Sequence, residues 1–333
     1  MKSEKCPVCG SRRSSADSVR CGVCGFGLAF AGLFADMESL DDYKKRLTEA
    51  REKYLSEYCP VREFAISSDA VDVVGRSGKL LFWDDVSGIR EKDGVAGISI
   101  CGEDVIVIGE DRNVLPFGQG VNNQHAAKLP PMRCAAARDG RAVYVDLSGK
   151  LHVSGPDYIN HEITRQDIIK AVPGEGFILV LYEDGRAETI IGPGCRALFR
   201  TGTRDGIADI AAGGCAVFLG RDGKVIVDGV AEGDVRLSAQ EWSEIKSVAA
   251  DSGFVYGVDR KGKVYSAGKC PRGFDRGRSD VSQWTDTMAI TCGRSCVAAL
   301  IKNGEVRYAG IFTPRFADIL PDFSGRLRRM MED

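Results

Sequence analysis

The chain has 333 residues, 44% of them hydrophobic, and a formal net charge of −2, enough for two domains and a substantial core. This near-neutral balance excludes a molecule whose overall field draws it to nucleic acid or anionic lipid. The longest apolar run, residues 22–35, has 14 residues, short of the ~20 a membrane-spanning helix needs.

The opening MKSEKCPVCG is polar and has no apolar signal core, so a cytoplasmic protein with no membrane partner is expected. Twelve cysteines in so long a chain fit a reducing compartment better than a disulfide scaffold. Four of them stand apart, Cys6 and Cys9 in CPVCG and Cys21 and Cys24 in CGVCG. Two such knuckles supply four thiolates from two tight turns, the ligand set of one structural Zn2+. Residues 1–35 are therefore predicted to form a zinc ribbon, in which the metal supports folding because so short a segment cannot build a core alone. Its basic residues include Arg12, Arg13 and Arg20, but a tetrathiolate zinc cancels most of the segment's small positive excess. Phosphate affinity grows with the number of phosphates neutralised, so nucleic-acid contact through these arginines is the weaker alternative to protein docking.

Residues 36–59 place Leu40, Tyr43, Leu47, Ala50 and Tyr54 at spacings of three and four, with Pro60 ending the pattern. That spacing predicts one amphipathic linker helix.

From residue 61 one grammar recurs seven times. The copy IADIAAGGCAVFLGRDGKVIVDG (207–229) shows it: a run of small residues, a short corner, an alternating apolar strand, a tight turn and another short strand. Gly78, Arg112, Gly149, Gly185, Gly223, Gly262 and Gly304 hold equivalent turn positions at spacings of 34 to 42 residues. A period in that range marks a repeat architecture, and alternation with Gly-containing turns marks antiparallel strands. The second copy has Asp-Arg-Asn in place of the turn glycine, so its turn is expected to differ. Small residues on each first strand fit blades crowded around an axis, so the chain is expected to be mainly β, a seven-bladed propeller over 60–322. The glycines Gly213 and Gly214 are followed by a strand pattern rather than a helix, which argues against a phosphate loop. Residues 315–320 resemble the segments between copies and are expected to close the ring as the outer strand of the first blade, with 323–333 a flexible tail.

The seven copies resemble repeats of the regulator of chromosome condensation superfamily, and VLPFGQGVNNQ (114–124) resembles that family's strand end and following turn. The likeness is greatest to its short-repeat bacterial branch, which includes the β-lactamase inhibitory protein II class, and implies a bacterial propeller. The family's inner-strand His is missing and its Trp-Gly ending is replaced, so no exchange activity toward a small GTPase carries over. Fold does not imply function.

His125, His152 and His161 stand without a local acid and nucleophile pattern, so an enzyme is not expected. The cysteines Cys101, Cys134, Cys215, Cys292 and Cys296 read as small packing residues, and Asp184 and Asp222 as turn residues. The first corners gather Asp69, Glu103, Asp104, Arg138, Asp139, Arg141, Glu175, Asp251 and Arg294 on one mildly acidic face. A basic loop with Arg272, Phe274, Arg276 and Arg278 is assigned to the opposite face. These are the candidate partner-binding residues, since recognition concentrates on loops held by a rigid scaffold. The expected function is a non-enzymatic adaptor for a protein partner; the alternatives are a nucleic-acid-associated regulator and an enzyme inhibitor acting through one propeller face. No small-molecule substrate is expected.

Overall fold

The computed structural model describes residues 61–332 except 102–103, 116–127, 139, 155–165, 193–194, 196–198, 200–201 and 271–274. The proposed zinc ligands Cys6, Cys9, Cys21 and Cys24, the ribbon arginines and the linker helix lie outside the described residues. So do Glu103, Asp139, Arg272 and Phe274. The chain divides into two compact units, and every described residue belongs to the second, Pro60–Asp333.

The described residues form seven antiparallel sheets, each built from consecutive strands. Blade 1 has four strands: β1 (Val61–Ile66), β2 (Ala70–Gly75), β3 (Leu80–Asp84) and β4 (Gly88–Lys92). Blade 2 has β5 (Val95–Cys101), β6 (Asp104–Gly109) and the two-residue β7 (Val114–Leu115). Blade 3 has β8 (Met132–Arg138), β9 (Arg141–Asp146) and β10 (Leu151–Ser154), and blade 4 has β11 (Ile168–Pro173), β12 (Phe177–Tyr182) and β13 (Ala187–Ile191). Blade 5 comprises β14 (Ile207–Ala212), β15 (Ala216–Gly220) and β16 (Val225–Asp228); blade 6 comprises β17 (Ile245–Ala250), β18 (Phe254–Asp259) and β19 (Val264–Gly268). Blade 7 comprises β20 (Thr287–Cys292), β21 (Cys296–Ile301) and β22 (Val306–Gly310). Each first strand touches the first strands of the blades on either side, including β1 with β20, so the sheets close into a ring. The core lies between blades, where middle strands such as FILVLY are buried on both faces.

One kind of hydrogen bond recurs at the six junctions from blade 1 to blade 7. The turn residue offers its carbonyl to the first amide of the following blade: Val95 to Gly78 (2.8 Å), Met132 to Arg112 (2.6 Å), Ile207 to Gly185 (2.9 Å) and Thr287 to Gly262 (3.0 Å). The turn needs a left-handed residue, and glycine supplies it without steric cost. In blade 2 Arg112 itself adopts φ 67°, and its amide donates to Gly109 (2.9 Å) as that of Gly149 does to Asp146 (3.0 Å). The second turn thus keeps the common geometry, contrary to expectation. What differs there is the junction: Asp167, Glu244 and Asp286 precede their first strands with positive φ, whereas Met132 follows Pro131, whose ring forbids that conformation.

The ring closure also departs from expectation. Residues 315–320 form no strand; they belong to helix α1 (Pro314–Glu332), which continues through the stretch expected to be a flexible tail. The outer strand of blade 1 is its own β4. Pro314 suits the first helical position, where its missing N–H is harmless. Phe316, Leu320, Phe323, Leu327 and Met330 then form a buried stripe at helical spacing. Phe316 meets Trp83 of blade 1 edge-on (5.5 Å between centroids) and Tyr308 of blade 7 (5.0 Å). At the other end Met330 packs beside Gly75, and the backbone of Arg328 lies over Gly304, where a next blade would otherwise begin.

Candidate binding site

The seven first strands share one irregularity: each slips register between its first and third residues, as at Val61/Glu63, Val95/Gly97, Ile168/Lys170 and Ile207/Asp209. A bulge re-aims the side chains that follow it. The strands surround a central channel of about 560 Å³, within the range of small-ligand sites. Its wall is mostly small, with Ala136, Ala211 and Ala249 from three blades, as the sequence implied. At the third position, however, Glu63, Lys170 and Asp209 interrupt that wall.

These charged residues are engaged across blade boundaries. The Ile98 amide donates to Glu63, and Gly97 makes room, since a Cβ there would stand 3.3 Å from the Glu63 carboxylate. Burial pushes the pKa of Glu63 up, although that amide and the positive charges of Lys170, Arg112 and Arg62 oppose it. Lys170 Nζ donates to Asp209 Oδ1 at 2.6 Å. Burial works to lower the pKa of Lys170, but the Asp209 carboxylate outweighs it and raises the value overall.

Arg138 crosses the corner-side mouth of the channel. From blade 3 its guanidinium reaches the Ala212 carbonyl of blade 5 (3.2 Å), the Ser252 hydroxyl of blade 6 (3.1 Å) and Glu175 of blade 4 (3.7 Å). Its side chain is only 8% exposed, so Arg138 is a tie between corners rather than a surface contact. Gly213 and Gly214 belong to the same architecture. A Cβ at Gly213 would overlap the Asp251 carbonyl of the next blade, to which the Gly214 amide donates at 3.0 Å.

Among the other corner residues, Glu175 and Arg294 are exposed, while Asp69 and Arg141 are half-buried. Asp69 accepts from the Ser67 hydroxyl at 2.7 Å; Asp104 opens β6. Asp251 is wholly buried: its Oδ1 accepts from the amides of Gly253 and Phe254, both at 2.7 Å, and its Oδ2 from Arg278 at 2.7 Å. That pair overturns the assignment of the basic loop to the opposite face. In an up-down-up sheet the third strand ends where the first corner lies, and the Lys269 amide donates to the Gly253 carbonyl at 3.2 Å. The loop after β19 therefore returns to the corner face. Arg278 is buried in the staple and Arg276 is exposed beside it, so among the described residues this face carries exposed side chains of both signs.

The other described sequence candidates have structural roles. Burial pushes the Cys215 thiol up to about 11 and the Cys296 thiol up to about 12, which leaves them protonated packing groups. Asp184 and Asp222 accept the amides of Arg186 (2.9 Å) and Lys224 (3.1 Å) within their turns. His152 is tied to Asp146 at 2.9 Å. His125 and His161 lie outside the described residues, and the side chain of Cys101 is likewise not described.

No protein-family profile and no curated protein matches the chain in sequence. In three dimensions it is similar to the CRINKLY WD40 ectodomain of the Arabidopsis thaliana receptor kinase ACR4, at 11% identity and TM-score 0.58, over 77% of this chain and 96% of that one. It is also similar to the ectodomain of the Physcomitrella patens receptor kinase CR4, at 12% identity and TM-score 0.52, over 76% and 74%. A third likeness is to yeast RCC1 (Prp20) bound to Kap60, at 15% identity and TM-score 0.43, over 75% and 70%. Seven sheets around one axis, joined at every neighbouring first strand, and the likeness to these ectodomains make residues 61–332 a β-propeller.

Proposed function

We propose that the protein is a non-enzymatic, cytoplasmic adaptor of the regulator-of-chromosome-condensation type, whose propeller binds a protein partner through its corner face. The observation that carries this reading is the convergence on one side of exposed Glu175, Arg294 and Arg276 with Val86, which is 95% exposed at the β3–β4 turn. Both signs of charge, with an exposed apolar residue on the same face, suit a protein surface better than a uniformly anionic polymer. The backbone beneath is rigid, because corner carbonyls, Arg138 and the Asp251–Arg278 staple fix neighbouring blades together. The zinc ribbon, with one structural Zn2+ on Cys6, Cys9, Cys21 and Cys24, would add a second contact surface.

Photo-crosslinking tests the reading. A crosslinking residue at Ser68, Glu175 or Arg294 of the full chain should trap one discrete protein adduct in native lysate, and the same residue at Ser77, Lys261 or Asn303 on the turn face should not. Adducts from the turn face alone would defeat the corner-face reading. Adducts abolished by nuclease would favour the nucleic-acid alternative instead. Native mass spectrometry should find one zinc per chain, lost in Cys6→Ser/Cys9→Ser; a metal-free parent chain would remove the ribbon from the proposal.

A further inference from the structure

The turn face, opposite the corner face, is made by the tips of the seven turns and the residues entering each first strand. Backbone bonds hold the two together: the Glu183 amide donates to the Asp167 carbonyl, that of Arg260 to Glu244 and that of Lys302 to Asp286, each at 3.0 Å. Helix α1 ends on this face, with Met330 beside Gly75 and the Arg328 backbone over Gly304.

Charge is divided unevenly around this face. Blade 6 exposes Arg260, Lys261 and Lys263 beside Glu244, blade 1 exposes Arg62 and Arg76, and α1 adds Arg328 and Arg329 between blades 7 and 1. In blade 7 Asp286 stands 4.0 Å from Lys302 and balances it. The signs reverse across the ring. Blade 2 exposes Glu110 and Asp111 with Asp93 before its first strand, and blade 4 exposes Glu183 and Asp184 with Asp167 before its own, against Arg186. Blade 5 balances its tip with Arg221 and Asp222, and blade 3 places Leu147, 52% exposed, at its tip. Among the exposed described side chains of this face, cations therefore outnumber carboxylates over blades 6, 7 and 1 with the helix end, and carboxylates outnumber cations over blades 2 to 5.

A partner of one sign would be repelled by half of this face, whereas a second copy carries both halves. Turned about a two-fold axis in the plane of the face, it sets each half against its opposite. We propose that two copies of the chain pair turn face to turn face, the cations of blades 6 and 1 and of the helix end lying against the carboxylates of blades 2 and 4 of the other copy. The corner faces then point outward on opposite sides, so one assembly offers the surface proposed above twice. The pairing does not depend on that surface, and either can fail without the other.

Sedimentation velocity of the full chain tests this. The expected result is a reversible dimer below about 100 μM at ~50 mM salt, weakened about tenfold or more at ~0.5 M, where screening shortens the reach of surface charges. Glu110→Lys/Glu183→Lys and Lys261→Glu/Arg329→Glu should each sediment as monomers, and an equimolar mixture of the two should form a heterodimer. Both sets change exposed side chains, so their thermal melts should match that of the parent. Should either set fold poorly, a crosslinking residue at Asn303 of the parent gives the same reading. It should yield a self-adduct of twice the chain mass, set apart by that mass from the partner adducts sought on the corner face, and Ser68 should yield none. A chain that stays monomeric up to about 100 μM, a dimer indifferent to salt and to both sets, folded variants that fail to pair when mixed, or no self-adduct from Asn303 would each overturn the proposal.

Discussion

Arg278 donates from Nη1 to Oδ2 of Asp251 across 2.7 Å, with the two side chains 4% and 0% exposed. The pair joins the loop after blade 6 to the corner of the same blade, and the Arg278 guanidinium stacks over the Phe254 ring at 5.0 Å. Burying two charges is costly, and their mutual attraction with the two amides on Asp251 offsets it. Removing one partner leaves the other charged and stranded.

Arg278→Met should therefore lower unfolding free energy by about 3–5 kcal/mol in urea titrations. Asp251→Asn/Arg278→Met should recover part of that loss, because neither charge is then orphaned. A loss of under about 1 kcal/mol in the single variant, the scale of an exposed ion pair, would show that the staple contributes little.

Two carboxylates should give opposite pH responses. Asp72 lies fully buried in β2 with Oδ2 unpartnered, and burial, reinforced by the charge of Asp84, pushes its pKa well up. The native state then holds its proton more firmly than the unfolded chain, so this group disfavours folding progressively as pH rises above about 4. Equivalent positions on other blades are Ile106, Val143 and Leu179. Asp72→Val should accordingly stabilise at pH 7, by about 1–3 kcal/mol, and much less at pH 4. Burial would also raise Asp146, but the Ser148 hydroxyl, His152 and the amides of Lys150 and Ser148 bring it down to about 2. Its contribution is present above about pH 4 and lost as pH falls through its folded value; Asp146→Asn should flatten that acid limb. Denaturation curves between pH 2 and pH 8 would decide both, and an identical pH dependence in either variant and the parent would refute the corresponding assignment.

Helix α1 closes the ring through aromatic contacts. Phe316→Ala should cost about 3–5 kcal/mol, with the earliest loss of hydrogen-exchange protection in β3 and β22. Uniform loss across all blades, or a stability unchanged from the parent, would show that the helix is not the closing element.

Gly213 should tolerate no side chain. Its Cβ would overlap the Asp251 carbonyl, so Gly213→Ala should destabilise by about 2–3 kcal/mol through backbone displacement. At Gly149 a Cβ would stand 2.7 Å from the Asp167 amide nitrogen, and Gly149→Ala should behave similarly. Arg112 holds the same turn position with a side chain already present, so Arg112→Ala should change stability by less than about 1 kcal/mol. Thermal melts of the three variants would test this; an Arg112→Ala loss as large as the glycine losses would contradict it.

The blade count and the inner-to-outer size gradient were legible because they repeat: seven copies make one turn position visible even where Arg112 replaces glycine. Features present once were harder to read. The stripe from Phe316 to Met330 has helical spacing, but the likeness of residues 315–320 to the segments between copies favoured a strand; packing against Trp83 and Tyr308 stabilises a helix interrupted by Pro321. The basic loop was misplaced although the three strands read in each copy already return the chain to the corner side. Glu63, Lys170 and Asp209 did carry a signal, as charges in otherwise small first strands, yet only the shared bulge explains why they face the axis. Arg138 shows a further limit: no local pattern reveals a side chain that crosses to three other blades.

The helical seam has a mechanical consequence. At six junctions a turn carbonyl accepts the first amide of the next blade, whereas at Gly304 the backbone of Arg328 takes that place. A pulling force applied across that boundary would load side-chain contacts in series, with few backbone bonds to share it. The boundary between Trp83 and Tyr308 is thus where the ring should tear first under load, with each blade still intact on either side of the break.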